Sequence, residues 1–310
     1  MTDPIAQRLA DATLDRRRLK RRLVWWRASS IVAIAASIAA VVFFQGGHDT
    51  TWDADASYIA RVPIIGVIED SPATEAHLLN LAENPGIAGV ILNINSPGGT
   101  FSGSEALYES LRKLAMAKPT AAVVGGMAAS GAYMAAVASD HIVARSGSIV
   151  GSVGVIFQMP QLHRLLNDIG IDMETVRSGD LKAVPGPTQE TTPEARKATE
   201  GLVDDLFQQF IGIVVERRDL DAAALEDVKR GGVYTGRRGL TLGLIDGIGG
   251  EEAALQWLET EHDIEENVPV VDRPVSGELP WWEEALDQLE NRVRLGPTPI
   301  FDGPWAIWHQ

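Results

Sequence analysis

Apolar and polar positions along the central chain fall into short blocks whose period switches between that of a strand and that of a helix. Residues 62–68 (VPIIGVI) form a β-branched run that predicts a strand, and helical spacing follows over about 74–83. Residues 89–94 (GVILNI) predict a second, buried strand, closed by a turn at Ser96-Pro97-Gly98-Gly99. A helix over 103–114 leads to a third strand at 120–124 (TAAVV), then Gly125-Gly126 and a small-residue helix that begins near Ser130. A fourth strand is expected at 141–144 (HIVA) and a fifth at 153–157. Strands separated by helices imply βαβ crossovers, hence an α/β fold with a mostly parallel sheet. A proline-marked polar stretch (185–193) ends this unit, and an amphipathic helix from about 193 to 218 follows it.

Two terminal segments break the alternation. Residues 28–44 are uncharged and apolar apart from three Ser; these 17 residues lie near the lower length limit for a membrane span. Arg16, Arg17, Arg18, Lys20, Arg21 and Arg22 precede the run, and Trp25 and Trp26 stand at its basic end, where interfacial aromatics belong. A buried core helix would not be apolar all round with such a flank. A cleaved signal peptide would have a shorter basic region and a small-residue site, whereas Phe43, Phe44 and Gln45 come next. An uncleaved, single-pass signal-anchor in the cytoplasmic membrane fits best, with the N-terminus inside and the rest of the chain outside. At the other end, Pro269, Pro274 and Pro280 interrupt the pattern, and 280–294 has Trp282, Leu286, Leu289 and Val293 at helical spacing. The expected organisation is a basic terminus (1–27), an anchor (28–44), a linker (45–59), a catalytic domain (60–265) and an aromatic arm (266–310).

Composition then narrows the classes. Of 310 residues, 45% are apolar and 22% charged, values of an ordinary globular chain with a sizeable core. The absence of Cys removes disulfides, thiolate metal sites and thiol nucleophiles. The net charge of −15 argues against nucleic acid as a partner, but it is unevenly placed. Residues 1–50 hold eight basic and four acidic side chains, a balance of +4, so the remainder carries −19.

Three glycine-marked places invite chemistry. Adjacent Gly98 and Gly99 free backbone N–H groups from Cβ obstruction, as an oxyanion hole requires, although a PGG sequence alone is usually a turn. Ser130, in Gly126-Met-Ala-Ala-Ser130-Gly131-Ala132, stands between a strand and a helix. It reads either as an N-cap or as an exposed nucleophile with the Gly131 N–H beside it; the small residues around it leave room for a substrate backbone. Neither His48, His77, His141, His163, His262 nor His309 stands in a matching motif, which leaves Lys as the candidate base. Lys182 is followed by apolar residues and proline, yet a Lys in such a place is more often a surface charge.

Taken together, NSPGG (95–99), GGMAASGAYMAA (125–136), GSVGV (151–155) and RSGDLK (177–182) resemble the short, single-domain form of the signal peptide peptidase SppA (protease IV) family, in the same order and with similar gaps over about 60–265. The resemblance implies a ClpP/crotonase-like fold and a membrane-bound serine endopeptidase without cofactor or metal. By motif match, Ser130 corresponds to the nucleophile, Lys182 to the general base and Ser152 to the hydroxyl that orients the Lys amine. Gly99 and Gly131 correspond to the oxyanion donors. It also implies a homo-oligomeric ring in which Ser and Lys come from neighbouring subunits, and apolar substrates such as remnant signal peptides. One departure is Gly186-Pro187 where the family often has Ser-Pro. A crotonase-type acyl-CoA enzyme and a catalytically silent membrane scaffold remain as alternatives.

Overall fold

The computed structural model describes Trp25 and residues 57–274. The expected anchor (28–44) and the helical pattern at 280–294 lie outside the described residues, among which no helix is long and apolar enough to cross a membrane. The chain divides into two compact units, 1–56 and 57–310, and the second carries the fold.

Strand β1 (Tyr58–Ile68), helix α1 (Pro72–Glu83), β2 (Ile87–Gly99), α2 (Phe101–Ala117), β3 (Thr120–Ala129), α3 (Gly131–Val137) and β4 (His141–Ala144) form three successive βαβ units. Their strands pair in parallel, as the alternation of elements predicts. The helices start where a side chain can take up a free amide. Ser71 accepts from the N–H of Thr74, and Thr100 from that of Gly103. Such a cap is typically worth about 1 kcal/mol. After β5 (Ile149–Gly151) come the short α4 (His163–Asp168) and the 25-residue α5 (Pro193–Arg217). Smaller pieces complete the domain: α6 (Ala222–Val228), β6 (Val233–Thr235), α7 (Gly236–Leu242), β7 (Gly247–Ile248), α8 (Glu251–Glu261) and β8 (Val270–Asp272).

One mixed sheet runs β6-β5-β3-β2-β1-β8, and β3 forks it. The first half of β3 (Ala121–Val124) pairs with β4, which continues to β7; the second half (Met127–Ala129) pairs with β5, which continues to β6. All pairings are parallel except β5–β6. Both faces of the sheet are covered. Val90, Leu92, Ala122 and Val124 belong to the large core that includes Leu111, Tyr133 and Phe210 from α2, α3 and α5. Their neighbours Ile91, Ala121 and Val123 pack with Ala254 and Leu258 of α8 on the other side. Burial on both faces explains why these strands read as continuous apolar runs.

Three local expectations are corrected. Ser96–Gly99 and Gly125-Gly126 are not turns after strands but the distal parts of β2 and β3. Their glycines accompany a shift in pairing between Ile94 and Ser96, where a side chain on Gly126 would meet the Asn95 amide. No strand forms at 153–157; the fifth strand precedes it at Ile149–Gly151, and 152–162 is irregular. Ile156 and Phe157 are exposed, so that β-branched run has no sheet position to fill.

A polar lock closes the domain away from the fork. Asp246 accepts from the Ile142 N–H at 2.8 Å and takes a bidentate pair from Arg218 at 3.0 and 2.8 Å. Arg218 also donates to the Gly243 carbonyl, and the buried Tyr133 hydroxyl donates to the Leu244 carbonyl. Burial holds the Tyr133 phenol well above its ordinary pKa, so it stays a donor. Asp246→Ala leaves a largely buried guanidinium without its carboxylate and the Ile142 N–H without its carboxylate acceptor. It is expected to lower unfolding free energy by about 2–3 kcal/mol, read from the shift in denaturation midpoint at constant m.

Candidate active site

Ser130 is the last residue before α3 and has φ 54° and ψ −124°. A non-glycine residue there costs about 1–3 kcal/mol and survives only where neighbours over-determine it. They do so here. The Ser130 N–H donates to the Gly151 carbonyl at 2.8 Å, extending the β3–β5 ladder by one step. The Ser130 carbonyl accepts from Tyr133 and Met134, which starts the helix. The two sequence readings of Ser130 separate on one detail. Ser71, Thr100, Thr192, Asp221 and Thr235 each cap their helix with a side-chain hydrogen bond; Ser130 does not. Its hydroxyl is held out of the capping position and left for other work.

The glycines around it permit backbone contact that no side chain would. A Cβ on Gly98 (φ +95°) would stand 2.7 Å from the Gly131 nitrogen and 3.1 Å from Ser130 Cβ. A Cβ on Gly99 would collide with the Ile68 carbonyl, and one on Gly131 with the Ser104 hydroxyl. A Cβ built on Gly131 would also stand 3.4 Å from the Gly99 nitrogen, which puts both expected oxyanion donors beside Ser130. Ser96, fully buried, accepts the Gly98 N–H at 3.1 Å, and Ser104 donates to the Thr100 carbonyl at 2.7 Å. These two serines and Gly98 support the site, and neither serine was given a role from sequence. The PGG pair was the available signal for Gly98, whereas nothing in a lone Ser marks its contact with a distant glycine.

Ser130, Gly99 and Ser152 line one open cleft of about 1060 Å³. Ser152, like Ser130, has φ 54°, and its N–H donates to the Gly232 carbonyl at 2.7 Å. Its hydroxyl makes no hydrogen bond to a described residue, so it is not satisfying its own turn. The same cleft is also lined by Arg196, Glu200, Asp204, Lys229 and Arg230. A smaller pocket of about 240 Å³ adjoins Ser130 and Gly131, with Phe101, Met134, Leu206 and Phe210 as its apolar lining. Lys182 is placed elsewhere. It lies exposed in the turn after Gly179, whose carbonyl accepts its N–H, and it does not line the cleft of its own chain. Among the described residues, no group of three or more His, Asp or Glu is gathered to hold a metal ion. His141 stacks on Trp257 at 4.7 Å instead, and burial lowers its pKa.

A serine hydroxyl free of capping on a strained strand-to-helix turn, with glycine amides beside it, is an arrangement suited to acyl-transfer hydrolysis. Comparison with known proteins agrees. The family model for peptidase family S49 matches residues 112–265, and that for Clp protease matches 55–149. A Synechocystis sp. protein named as a protease is 35% identical over 204 residues, covering 65% of this chain and 73% of that protein. One from Methanocaldococcus jannaschii, also named as a protease, is 33% identical over 198 residues, 61% of this chain and 64% of its own. A protein from Enterococcus faecium named as the signal peptide peptidase SppA is 28% identical over 237 residues, 70% of this chain and 69% of its own. The chain belongs to peptidase family S49, the SppA family, and is a serine peptidase.

Gly98→Ala forces a methyl group against the Gly131 amide at a backbone angle that disfavours L-residues. It is expected to lower kcat by about 100-fold, the scale of losing one oxyanion donor, in hydrolysis of a fluorogenic peptide.

Proposed function

We propose that this peptidase works as a membrane-anchored endopeptidase with Ser130 as nucleophile and Lys182, contributed by a neighbouring copy in a ring, as general base. The observation that carries the reading is the uncapped, positive-φ Ser130 beside the Gly99 and Gly131 backbone. In the reaction, a neutral Lys182 takes the Ser130 proton as the oxygen attacks a peptide carbonyl. The amides of Gly99 and Gly131 stabilise the oxyanion by about 3 kcal/mol each, the amine leaves with a proton from Lys182, and water releases the acyl group. Ser152 hydrogen-bonds the incoming amine and orients it. A desolvated Lys is a competent base because burial favours its neutral form, which a site sealed by a second subunit would provide.

The segment that carries Lys182 supports an intersubunit site. Helix α4 has no buried residue, and Leu165, Ile169, Met173, Val176 and Leu181 around it are exposed. An open cleft of this size suits an extended peptide, and the smaller apolar pocket beside Ser130 suits an apolar side chain, as in a remnant signal peptide. The anchor at 28–44 would hold the cleft near the outer membrane surface where such peptides arise.

Ser130→Ala is expected to abolish peptide hydrolysis, and a fluorophosphonate label on Ser130 to be lost in Lys182→Ala. Undiminished hydrolysis by Ser130→Ala sinks the nucleophile assignment. Mixing the two inactive variants before assembly discriminates further. Random rings set an intact Ser130 against an intact neighbouring Lys182 at about one site in four, so about a quarter of native activity returns. A mixture as inactive as its components places the two residues of each site on one chain.

A further inference from the structure

The cleft that holds Ser130 has a charge balance opposite to that of the body around it. Beyond residue 50 the chain has 38 acidic side chains against 19 basic ones, yet Arg196, Lys229 and Arg230 outnumber Glu200 and Asp204 in the cleft. These cations come from two places. Arg196 stands on the same face of α5 as Glu200 and Asp204, one and two turns on, so that lining is of mixed sign. Lys229 and Arg230 come from the turn between α6 and β6, which brings no carboxylate to the cleft.

Backbone contacts fix this turn against the reacting end of the sheet. The N–H groups of Lys229, Arg230 and Gly231 donate to the Leu225, Asp227 and Val228 carbonyls. The Gly232 carbonyl then takes the Ser152 N–H at 2.7 Å, as the Gly151 carbonyl takes that of Ser130 at 2.8 Å. A Cβ on Gly154 would stand 3.8 Å from the Gly231 Cα. Two such steps at strand spacing set Gly232 about 10 Å from Ser130, roughly three residues of an extended peptide. What separates Arg230 from its neighbours is that it has no partner. Lys229 pairs with Glu226 at 2.8 Å, and Arg238 with Asp227 at 3.4 Å. Arg230 is exposed, and its guanidinium makes no hydrogen bond or ion pair among the described residues. A guanidinium is a planar fork of donors that matches a carboxylate. In a peptidase cleft, carboxylates arrive on acidic side chains or at the free C-terminus of a peptide.

We propose that Arg230 is a specificity-determining residue whose guanidinium takes a carboxylate of the substrate, about three residues from the bond attacked. The assignment rests on Ser130 being the nucleophile. Glu200 and Asp204 repel the same carboxylate from the α5 side, so the charge fixes how a peptide lies in the cleft.

Internally quenched peptides of one apolar sequence test this on the full chain in detergent micelles. One set carries Glu or Gln at each position within four residues of the cleaved bond. A second set ends in a free carboxylate or its amide. In one of the two sets the native enzyme is expected to favour the carboxylate by about tenfold in kcat/KM, expressed in KM. A response in the first set identifies an acidic side chain as the group bound, and one in the second the C-terminus. Arg230→Gln is expected to bring the ratio to about one, Arg230→Lys to keep part of it, and Arg230→Glu to turn it against the acidic peptide. No preference in the native enzyme, or an unchanged ratio in Arg230→Gln, overturns the proposal. An Arg230 that only steadies the end of α6 or meets a neighbouring copy gives that unchanged ratio, with a lower Tm or a smaller assembly mass. Native rates from Ser130→Ala overturn the nucleophile reading separately, because the ratio in Arg230→Gln is measured whichever residue attacks.

Discussion

The architecture turns on how closely two stretches of backbone approach at the end of β2 and the start of α3. Gly98, Gly99 and Gly131 meet with distances that exclude a single methyl group, and Gly103 presses on the Glu69–Asp70 peptide in the same way. Packing at this density leaves the serine between the two stretches no choice of backbone conformation. A strained Ser130 is therefore a result of close packing around it, and the energy it stores is drawn from the apolar layers on both faces of the sheet. Replace the glycines and the close approach that fixes Ser130 and sets two amides beside it is lost.

Helix starts elsewhere in the domain make the contrast plain. Ser71 and Thr100 spend their hydroxyls on amides of the following turn and thereby stabilise the fold. Ser130 occupies the equivalent chain position but forgoes the bond, and its helix is held instead by burial of every residue from Gly131 to Val137. The chemistry is thus obtained by transferring a stabilising job from a side chain to the core. Buried Tyr133, fixed by its hydroxyl to the Leu244 carbonyl, anchors the same helix from below.

Much of this was legible in sequence because it depends on period and on glycine. The alternation of apolar runs and helical spacing located β1 to β4 and the helices between them, and the long α5 ended within a residue of where its pattern stops. The linked glycine motifs pointed to Ser130, Ser152, Gly99 and Gly131, three of which line one cleft. The small elements after residue 218 were not foreseen, because β6, β7 and β8 are two or three residues long and their pairing is decided by tertiary contact alone. The glycine pairs looked like turns since a turn and a strained strand end want the same residue. Ser96 and Ser104 were invisible for a different reason: their partners depend on approach in space, and a buried serine has no periodic signature.

The fork in β3 divides the domain energetically as well as geometrically. Its first half, Ala121 to Val124, is buried on both faces between deep layers, and β4 there is tied to Arg218 through Asp246. Its second half rests on three ladder positions with β5, which in turn has three with β6. The outer branch is thus held by few ladder bonds, and the end of the sheet that holds Ser130 and Ser152 depends on the glycine contacts and on the buried helix α3 for its shape. The same strand thereby serves two neighbours in turn, sharing a buried layer with β4 along its first half and delivering the chain to Ser130 along its second.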